Sequence, residues 1–209
     1  MANTVSFHPA QGGNILMATW ELTTPLSKES LRPLRSGDMV LLSGVIYSAR
    51  DAAHSRIFES LERGEDLPFD LQGAVIYYVG PSPPPPGKAV GSAGPTTSSR
   101  MDVYAPTLHS LGLAATIGKG KRSQVVKDSL KKYTAVYLVA TGGAGALLSK
   151  CITAAEVIAY EALGPEAVCK MTVQDMPLLV VNDSFGNELY ATPNLESALQ
   201  GLQGHCEKV

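Results

Sequence analysis

The chain has 209 residues, 44% of them hydrophobic and 17% charged, which is enough for one good-sized core in an ordinary soluble globular protein. A formal net charge of −2 argues against a nucleic-acid-binding surface and against a basic membrane patch. No apolar run is long enough to cross a bilayer, so we expect no membrane segment. Basic side chains must then belong to specific sites.

Compartment and thiol chemistry follow from the first residues and the cysteines. The first residues lack the basic start and apolar middle of a secretory signal, which favours the cytoplasm. Cys151, Cys169 and Cys206 are far apart and form neither a zinc spacing nor a CxxC pair. We therefore expect buried or incidental thiols in a reducing compartment, and no metal ligands in this chain.

Hydrophobic patterning divides the chain into a lead-in and one domain. Residues 1–14 are polar and poorly patterned, and we treat them as a flexible lead-in to a domain over residues 15–209. Apolar runs predict strands at residues 15–22, 39–47, 73–79, 113–117, 134–140, 157–160, 167–173, 178–182 and 188–190. Helical spacing with glycine or proline stops predicts helices at residues 27–34, 50–63, 95–110, 123–132, 141–150 and 195–203. The mixture predicts a single α/β domain with a mixed sheet.

The segment GPTTSSRM, residues 94–101, predicts an anion-binding helix N-terminus. Pro95 suits the first turn of a helix, and the hydroxyls of Thr96 and Thr97 can accept from backbone N–H groups there. Arg100 lies four residues after Thr96, so on a helix both would project from one face. A guanidinium group can hold a carboxylate through two parallel hydrogen bonds. The alternative is that the threonines only cap the helix and the arginine pairs with a surface acid.

Two further basic residues stand at the ends of predicted strands. Arg50 directly follows a strand and precedes a helix, where α/β folds bind ligands, although an exposed arginine is the alternative. Lys119 stands between two glycines, which let the backbone approach a ligand that the ammonium then contacts. The glycines of residues 118–120 and 142–145 have neither phosphate-loop nor GxGxxG spacing, so no nucleotide site is predicted. Three cations and a hydroxyl suit a small dicarboxylate.

A series of short motifs resembles one known family. In chain order they are Gly37-Asp38, Ser43-Gly44, Arg50-Asp51-Ala52-Ala53-His54, Leu67-Pro68, Tyr78-Val79-Gly80-Pro81, GPTTSSRM, Ile117-Gly118-Lys119-Gly120, Gly142-Gly143-Ala144, Leu163-Gly164-Pro165-Glu166-Ala167 and Asp183-Ser184-Phe185-Gly186-Asn187. The series resembles the β subunit, or equivalent C-terminal domain, of class I iron–sulfur fumarate hydratases. The tartrate dehydratase β subunit shares much of it. The proline run at residues 83–86 and the lead-in are not part of the pattern.

The resemblance implies a swivelling β/β/α domain that is half of an enzyme. In such enzymes the active site lies between this domain and an α domain that holds a [4Fe–4S] cluster. One iron of the cluster acts as a Lewis acid on the substrate. Because this chain lacks the cluster cysteines, we expect a separate α subunit as its partner, with the cluster in that subunit and a dicarboxylate as substrate.

Four residues carry the chemistry that the resemblance implies. Thr96 corresponds to the catalytic base that removes the C3 proton of malate, in an interconversion of (S)-malate with fumarate and water. Arg50, Arg100 and Lys119 correspond to cations that bind both carboxylates and stabilise the charge that develops beside the deprotonated carbon.

Three neighbours are assigned supporting positions by the same resemblance. Asp51, His54 and Thr97 match the motifs, and we expect them to shape the site, with the aspartate and the histidine orienting Arg50.

Two alternatives to a fumarate hydratase subunit remain open at this stage. A tartrate dehydratase β subunit also dehydrates a 2-hydroxy dicarboxylate, so the same cations would serve it. The alanines at positions 52 and 53 look more like the fumarase version. A non-catalytic module that binds an organic acid is the other alternative, and the presence of Thr96 beside three cations argues against it.

Overall fold

The computed structural model describes residues 4–9, 16–140 and 145–191, with side chains described at residues 18–140 and 145–191. The strands are β1 (Thr4–Pro9), β2 (Leu16–Thr23), β3 (Met39–Ser48), β4 (Val75–Tyr77), β5 (Ala115–Gly118), β6 (Val136–Val139), β7 (Ile152–Ala159) and β8 (Val168–Asn182). The α-helices are α1 (Lys28–Leu31), α2 (Asp51–Arg63), α3 (Ala105–Ser110), α4 (Gln124–Tyr133) and α5 (Gly145–Leu148). Within those ranges, no helix has the length and hydrophobicity needed to span a membrane.

The strands form one mixed sheet that closes on itself. Strands β2 to β6 pair in parallel, in sequence order, whereas β1 pairs with β2, and β8 with β3, β6 and β7, in antiparallel fashion. Since β3 pairs with both β4 and β8, and β8 with β6, five strands complete a ring: β3, β4, β5, β6 and β8. The predicted α/β class with a mixed sheet is therefore confirmed.

Successive side chains of the ring strands point to opposite faces of the sheet, and this separates an inner apolar layer from an outer one. Every ring strand contributes to one buried cluster, as with Leu42, Tyr77, Ile117, Leu138 and Val180. Residues of opposite alternation pack outward against the helices. Helices α2 and α3 cover Ile76 and Tyr78, and α4 covers Tyr137 and Val139 in a third cluster.

Helix α2 follows the predicted pattern closely. Ala53 and Ile57 form its buried face, and His54 lies among them, fully buried. Gly64 ends the helix in a left-handed conformation with φ of 67°, and its N–H donates to the Leu61 and Ser60 carbonyl oxygens. At its other end, helix α2 begins three residues after the last residue of β3.

The parallel strands bring the predicted site segments to one edge of the sheet. Residue 50 follows β3, residue 78 follows β4 and residue 119 follows β5. Because neighbouring parallel strands end at the same edge, these three segments are adjacent although they are far apart in sequence.

The helix predicted over residues 95–110 is wrong. Thr97 instead forms an isolated parallel bridge with Lys119, followed by a 3-10 turn (Ser98–Met101) and the separate helix α3. The Thr96 N–H donates to the Tyr78 carbonyl oxygen at 2.7 Å, and its own carbonyl accepts from the Lys119 N–H at 3.3 Å. These backbone groups are used between strands, so they cannot close helical turns. The β-branched threonines favour such extended geometry.

Smaller differences concern the lengths of elements. The strands predicted at residues 167–173 and 178–182 are one strand, β8, which passes through Asp175 at φ of 47°. Residues 188–190 are not a strand, since only Glu188 forms a bridge and a 3-10 turn (Leu189–Ala191) follows. Helix α1 is shorter than predicted, because residues 33–34 already lie outside it.

Two predictions at the chain ends have different outcomes. Residues 1–14, expected as a flexible lead-in, contain strand β1, which pairs with β2 through backbone hydrogen bonds that need no apolar pattern. The predicted helix at residues 195–203, together with Cys206 and the glycines Gly142 and Gly143, lies outside the described residues.

Candidate functional site

Arg50 occupies the position before the first turn of α2. Its backbone is extended and its side chain makes no capping hydrogen bond. The side chain, which is 24% exposed, lies with Nε 3.7 Å from Asp51 Oδ2 and with Nη2 3.3 Å from Glu166 Oε1. Arg50 is thus held at the sheet edge by two carboxylates, with its Nε buried and its side chain partly exposed.

His54 fixes the backbone beneath Arg50. The Arg50 carbonyl oxygen accepts from the His54 N–H at 2.8 Å and lies 2.9 Å from Nδ1 of the ring. Because a carbonyl can only accept, Nδ1 carries the proton and Nε2, which is buried without a partner, does not. Burial lowers the pKa of His54 to about 4, so the ring is neutral at pH 7. It packs against Tyr78 and Tyr104 with ring centres 5.5 and 5.4 Å away.

Asp51 brings a second arginine to the same place. Its Oδ2 lies 3.3 Å from Arg100 Nη2 and 3.7 Å from Arg50 Nε. Neither Oδ2 nor Nε has a hydrogen-bond partner of good geometry, so the contacts are between charges. The arginines come from different segments of the chain, and a single carboxylate oxygen lies between them. A substrate carboxylate would find two guanidinium groups within a few ångströms of each other.

Thr96, Thr97 and Lys119 form a second group beside the first. The Ser98 N–H donates to the Lys119 carbonyl oxygen at 3.0 Å, which completes the short ladder that begins at Thr96. Thr97, Arg100 and Lys119 are exposed and Thr96 is half-buried. Among the side chains that the structure describes, the Lys119 ammonium pairs with no carboxylate. The ladder therefore joins the backbone of half-buried Thr96 to that of the exposed Lys119.

The predicted site residues are thus brought together as two contacting groups. Asp51 joins Arg50 to Arg100, and backbone bonds join Thr96 and Ser98, on either side of Thr97, to Lys119. The 3-10 turn that carries Arg100 begins directly after the ladder, which connects the two groups.

Glu166 is a site residue that sequence patterns did not identify. Its Oε2 accepts from the Ala52 N–H at 3.0 Å, at the start of α2, while Oε1 contacts Arg50. A carboxylate at this place satisfies a free backbone donor and complements the helix dipole. The only signal was its membership of the GPEA motif, because a contact across 114 residues leaves no local pattern.

Gly80 is required for the close packing around Arg50. A Cβ at this position would lie 2.9 Å from Arg50 Nη1 and 3.0 Å from the Pro165 carbonyl oxygen. A larger residue would therefore displace either the guanidinium or the segment that carries Glu166.

This edge carries three cations, Arg50, Arg100 and Lys119, against the two carboxylates of Asp51 and Glu166. Within residues 18–140 and 145–191, no three His, Cys, Asp or Glu side chains are grouped as metal ligands would be. The edge offers two guanidinium groups, an ammonium and a hydroxyl, which can bind two carboxylates and place a proton acceptor next to them.

Comparisons with known proteins identify the family of the chain. The family model described as fumarase C-terminus matches residues 4–193. Fumarate hydratase 2 of Leishmania major is 41% identical over 175 residues, which cover 82% of this chain and 31% of that protein. The aerobic class I fumarate hydratase of Salmonella typhimurium is 38% identical over 174 residues, covering 81% of this chain and 30% of that protein.

A shorter relative is matched almost along its whole length. The putative L(+)-tartrate dehydratase subunit beta of Methanocaldococcus jannaschii is 39% identical over 179 residues, which cover 81% of this chain and 90% of that protein. The chain thus spans about a third of the fumarate hydratases that it matches, but most of a tartrate dehydratase β subunit. With a family match over nearly its entire length, and relatives near 40% identity, the chain belongs to the fumarase C-terminus family.

Proposed function

We propose that the chain is the β subunit of a two-subunit hydro-lyase that interconverts (S)-malate with fumarate and water. The observation that carries the proposal is the meeting of Arg50 and Arg100 about Asp51, beside the ladder of Thr96 and Lys119. Two carboxylates of a C4 acid would bind the cations, and the threonine hydroxyl would face the carbon between them. We expect the domain to be of the swivelling β/β/α type.

A partner subunit is part of the proposal. The fumarate hydratases that match are about three times as long as the matched region, whereas the tartrate dehydratase relative is named as a subunit. We expect an α subunit to supply the remaining two thirds and a [4Fe–4S] cluster, for which the described residues of this chain offer no ligand set. The cluster would supply a Lewis acid for the substrate hydroxyl.

The residues of this chain would handle the proton and the charge. Thr96 would take the C3 proton of malate and return it in the opposite direction. Negative charge then develops on the neighbouring carboxylate, where Arg50, Arg100 and Lys119 stabilise it. A threonine hydroxyl is a weak base, and no helix N-terminus lies at Thr96 to assist it. We expect the ammonium of Lys119, whose backbone N–H binds the Thr96 carbonyl oxygen, to favour its oxyanion.

Tartrate is the second candidate substrate. It is favoured by one observation, the match of this chain to 90% of a tartrate dehydratase β subunit. Both substrates carry two carboxylates and a 2-hydroxyl, so the same cations would bind either.

Anaerobic reconstitution with a candidate α subunit tests the proposal. The complex would be assayed on malate, fumarate and both tartrate enantiomers, and we expect turnover of malate and fumarate. Turnover of one tartrate enantiomer alone would replace the proposal with the second candidate. Tight malate binding without turnover of any of the four would instead identify a non-catalytic organic-acid-binding module.

A further inference from the structure

Arg122 is a buried arginine directly behind the candidate site. It lies between β5 and α4, and its side chain has no solvent exposure. Nε donates to Asp102 Oδ1 at 2.7 Å, Nη1 donates to Thr116 Oγ1 at 3.0 Å, and Nη2 lies 3.5 Å from the Tyr78 hydroxyl. The guanidinium also lies over the Tyr137 ring, 4.9 Å from its centre. One side chain therefore joins the segments after β4 and β5 to β6 and to the turn before α3.

A charge in this position is costly unless its partners are fixed. Asp102 compensates it, and the second oxygen of Asp102 accepts from the Ser123 N–H at 2.7 Å, at the start of α4. An apolar side chain of similar size could fill the same space without the loss of hydration. Packing alone therefore does not require the pair of Arg122 and Asp102. The pair supplies a set of directed hydrogen bonds between loops.

Those bonds lead to the ladder of Thr96 and Lys119. The Tyr137 hydroxyl, beneath the Arg122 guanidinium, lies 2.9 Å from the Gly120 carbonyl oxygen and 2.9 Å from Ser98 Oγ. A carbonyl can only accept, so Tyr137 donates to Gly120 and Ser98 donates to Tyr137. Gly120 directly follows Lys119, and Ser98 follows the two threonines. Both sides of the ladder are therefore anchored to the ring that Arg122 covers.

We propose that Arg122 is a positioning residue for the hydro-lyase reaction. It acts through Asp102 and Tyr137, which hold the segment carrying Thr96 and Arg100 in register with Lys119. This inference rests on the proposed function and deepens it, because it assigns a role to a side chain that cannot touch substrate.

The test compares Arg122→Lys and Arg122→Met in the reconstituted complex. The lysine variant keeps the charge but loses the guanidinium fork, and the methionine variant loses both. We expect kcat on malate to fall by about 10-fold and about 100-fold, respectively, as the hydroxyl and cations move out of register. KM should rise by a smaller factor than kcat falls, because Arg50, one of the three cations, is held by Asp51 and Glu166 without help from Arg122. If the methionine variant does not fold, Asp102→Asn replaces it.

Ser129→Ala is the matched control. Ser129 is buried between α3 and α4, where it pairs with His109 at 2.8 Å and takes no part in the site. The control should lower Tm without lowering kcat. Equal losses of kcat in the control and in the Arg122 variants, or a kcat within about twofold of wild type in Arg122→Met, would overturn the inference.

Amide hydrogen exchange separates this inference from the proposed function. In the full chain, Arg122→Met should speed exchange at the N–H groups of Ser98 and Lys119, which the ladder protects. If the wild-type complex turned over none of the four acids, the proposed function would fail, and exchange alone would decide. Unchanged exchange at both amides would then reject the positioning role.

Discussion

At the residue scale, Thr96 is the position where backbone and side chain have separate tasks. Its N–H and carbonyl groups bind Tyr78 and Lys119, so the Cα is fixed at the end of the parallel strands. The side chain is half-buried and takes no part in these bonds. In the proposed reaction, the fixed backbone would keep the Thr96 oxyanion in place while the C3 proton moves to it.

Replacing Thr96 with alanine should strongly reduce turnover without loosening the fold. A general base contributes about 100-fold to 10,000-fold, so we expect kcat on malate to fall by about that factor. The backbone bonds remain, so Tm and assembly with the α subunit should be unchanged. Ser99→Ala, which removes a hydroxyl from the exposed turn three residues on, is the control. Activity retained in the Thr96 variant would move the base to another residue.

At the element scale, the ladder between residues 96–98 and 119 depends on how closely two segments approach. Gly118 ends β5, and a Cβ there would overlap Ser98 Oγ and lie 3.0 Å from Tyr78 Cδ2. The missing side chain therefore allows the turn that carries Arg100 to lie against the strand. Gly118, the first glycine of the IGKG motif, therefore has a packing role. Its position next to Lys119 in the sequence did not indicate this role.

Gly118→Ala should separate the two segments. Overpacking at such a site costs about 1–3 kcal/mol, and we expect a loss of that size in the free energy of unfolding, with reduced kcat. Gly94→Ala is the matched control, because its Cβ would only reach ordinary contact, 3.9 Å from Gly145 Cα. Urea unfolding and malate turnover measure both effects. Equal stability of the two variants would show that the Ser98 contact relaxes freely.

The sequence predicted the features that depend on short-range interactions and missed those that depend on contacts between distant residues. Strong local signals set β3, α2 and α4, where apolar spacing, and for α2 the stop at Gly64, act within one element. The mistake at residues 95–110 arose because proline and threonine suit a helix start as well as an extended bridge. A bridge partner 22 residues away, Lys119, decided between them. Glu166 and Arg122 reach the site only through tertiary contacts, which no local spacing records.

At the scale of the whole molecule, buried histidines make stability depend on pH. His54 and His109 are both buried, and desolvation lowers their pKa values to about 4 and about 3 from 6.5. The unfolded chain therefore binds protons at a higher pH than the folded chain does. The stability that these neutral rings provide is complete above about pH 6.5 and declines as the pH falls towards 4 for His54 and 3 for His109.

Unfolding in urea at pH 7, 6 and 5 should show this decline. Each histidine that takes up a proton on unfolding contributes a slope of up to about 1.4 kcal/mol per pH unit. His109 lies outside the candidate site. The variant His109→Gln should therefore reduce this slope by the contribution of about one proton, while turnover at pH 7 persists. A slope that is the same in the variant would mean that His109 already accepts a proton in the folded state.

Because the ring of strands closes only through β8, the domain can complete its fold only after β8 has been synthesised. Strand β3 pairs along its whole length with β8, whose last residue is Asn182. On the ribosome, β3 and β6 are complete long before β8 emerges, and until then each exposes an open edge. Nascent chains must therefore expose apolar strands until residue 182 has left the ribosome. We expect translation speed between β6 and the end of β8, and chaperones near the exit tunnel, to affect yield.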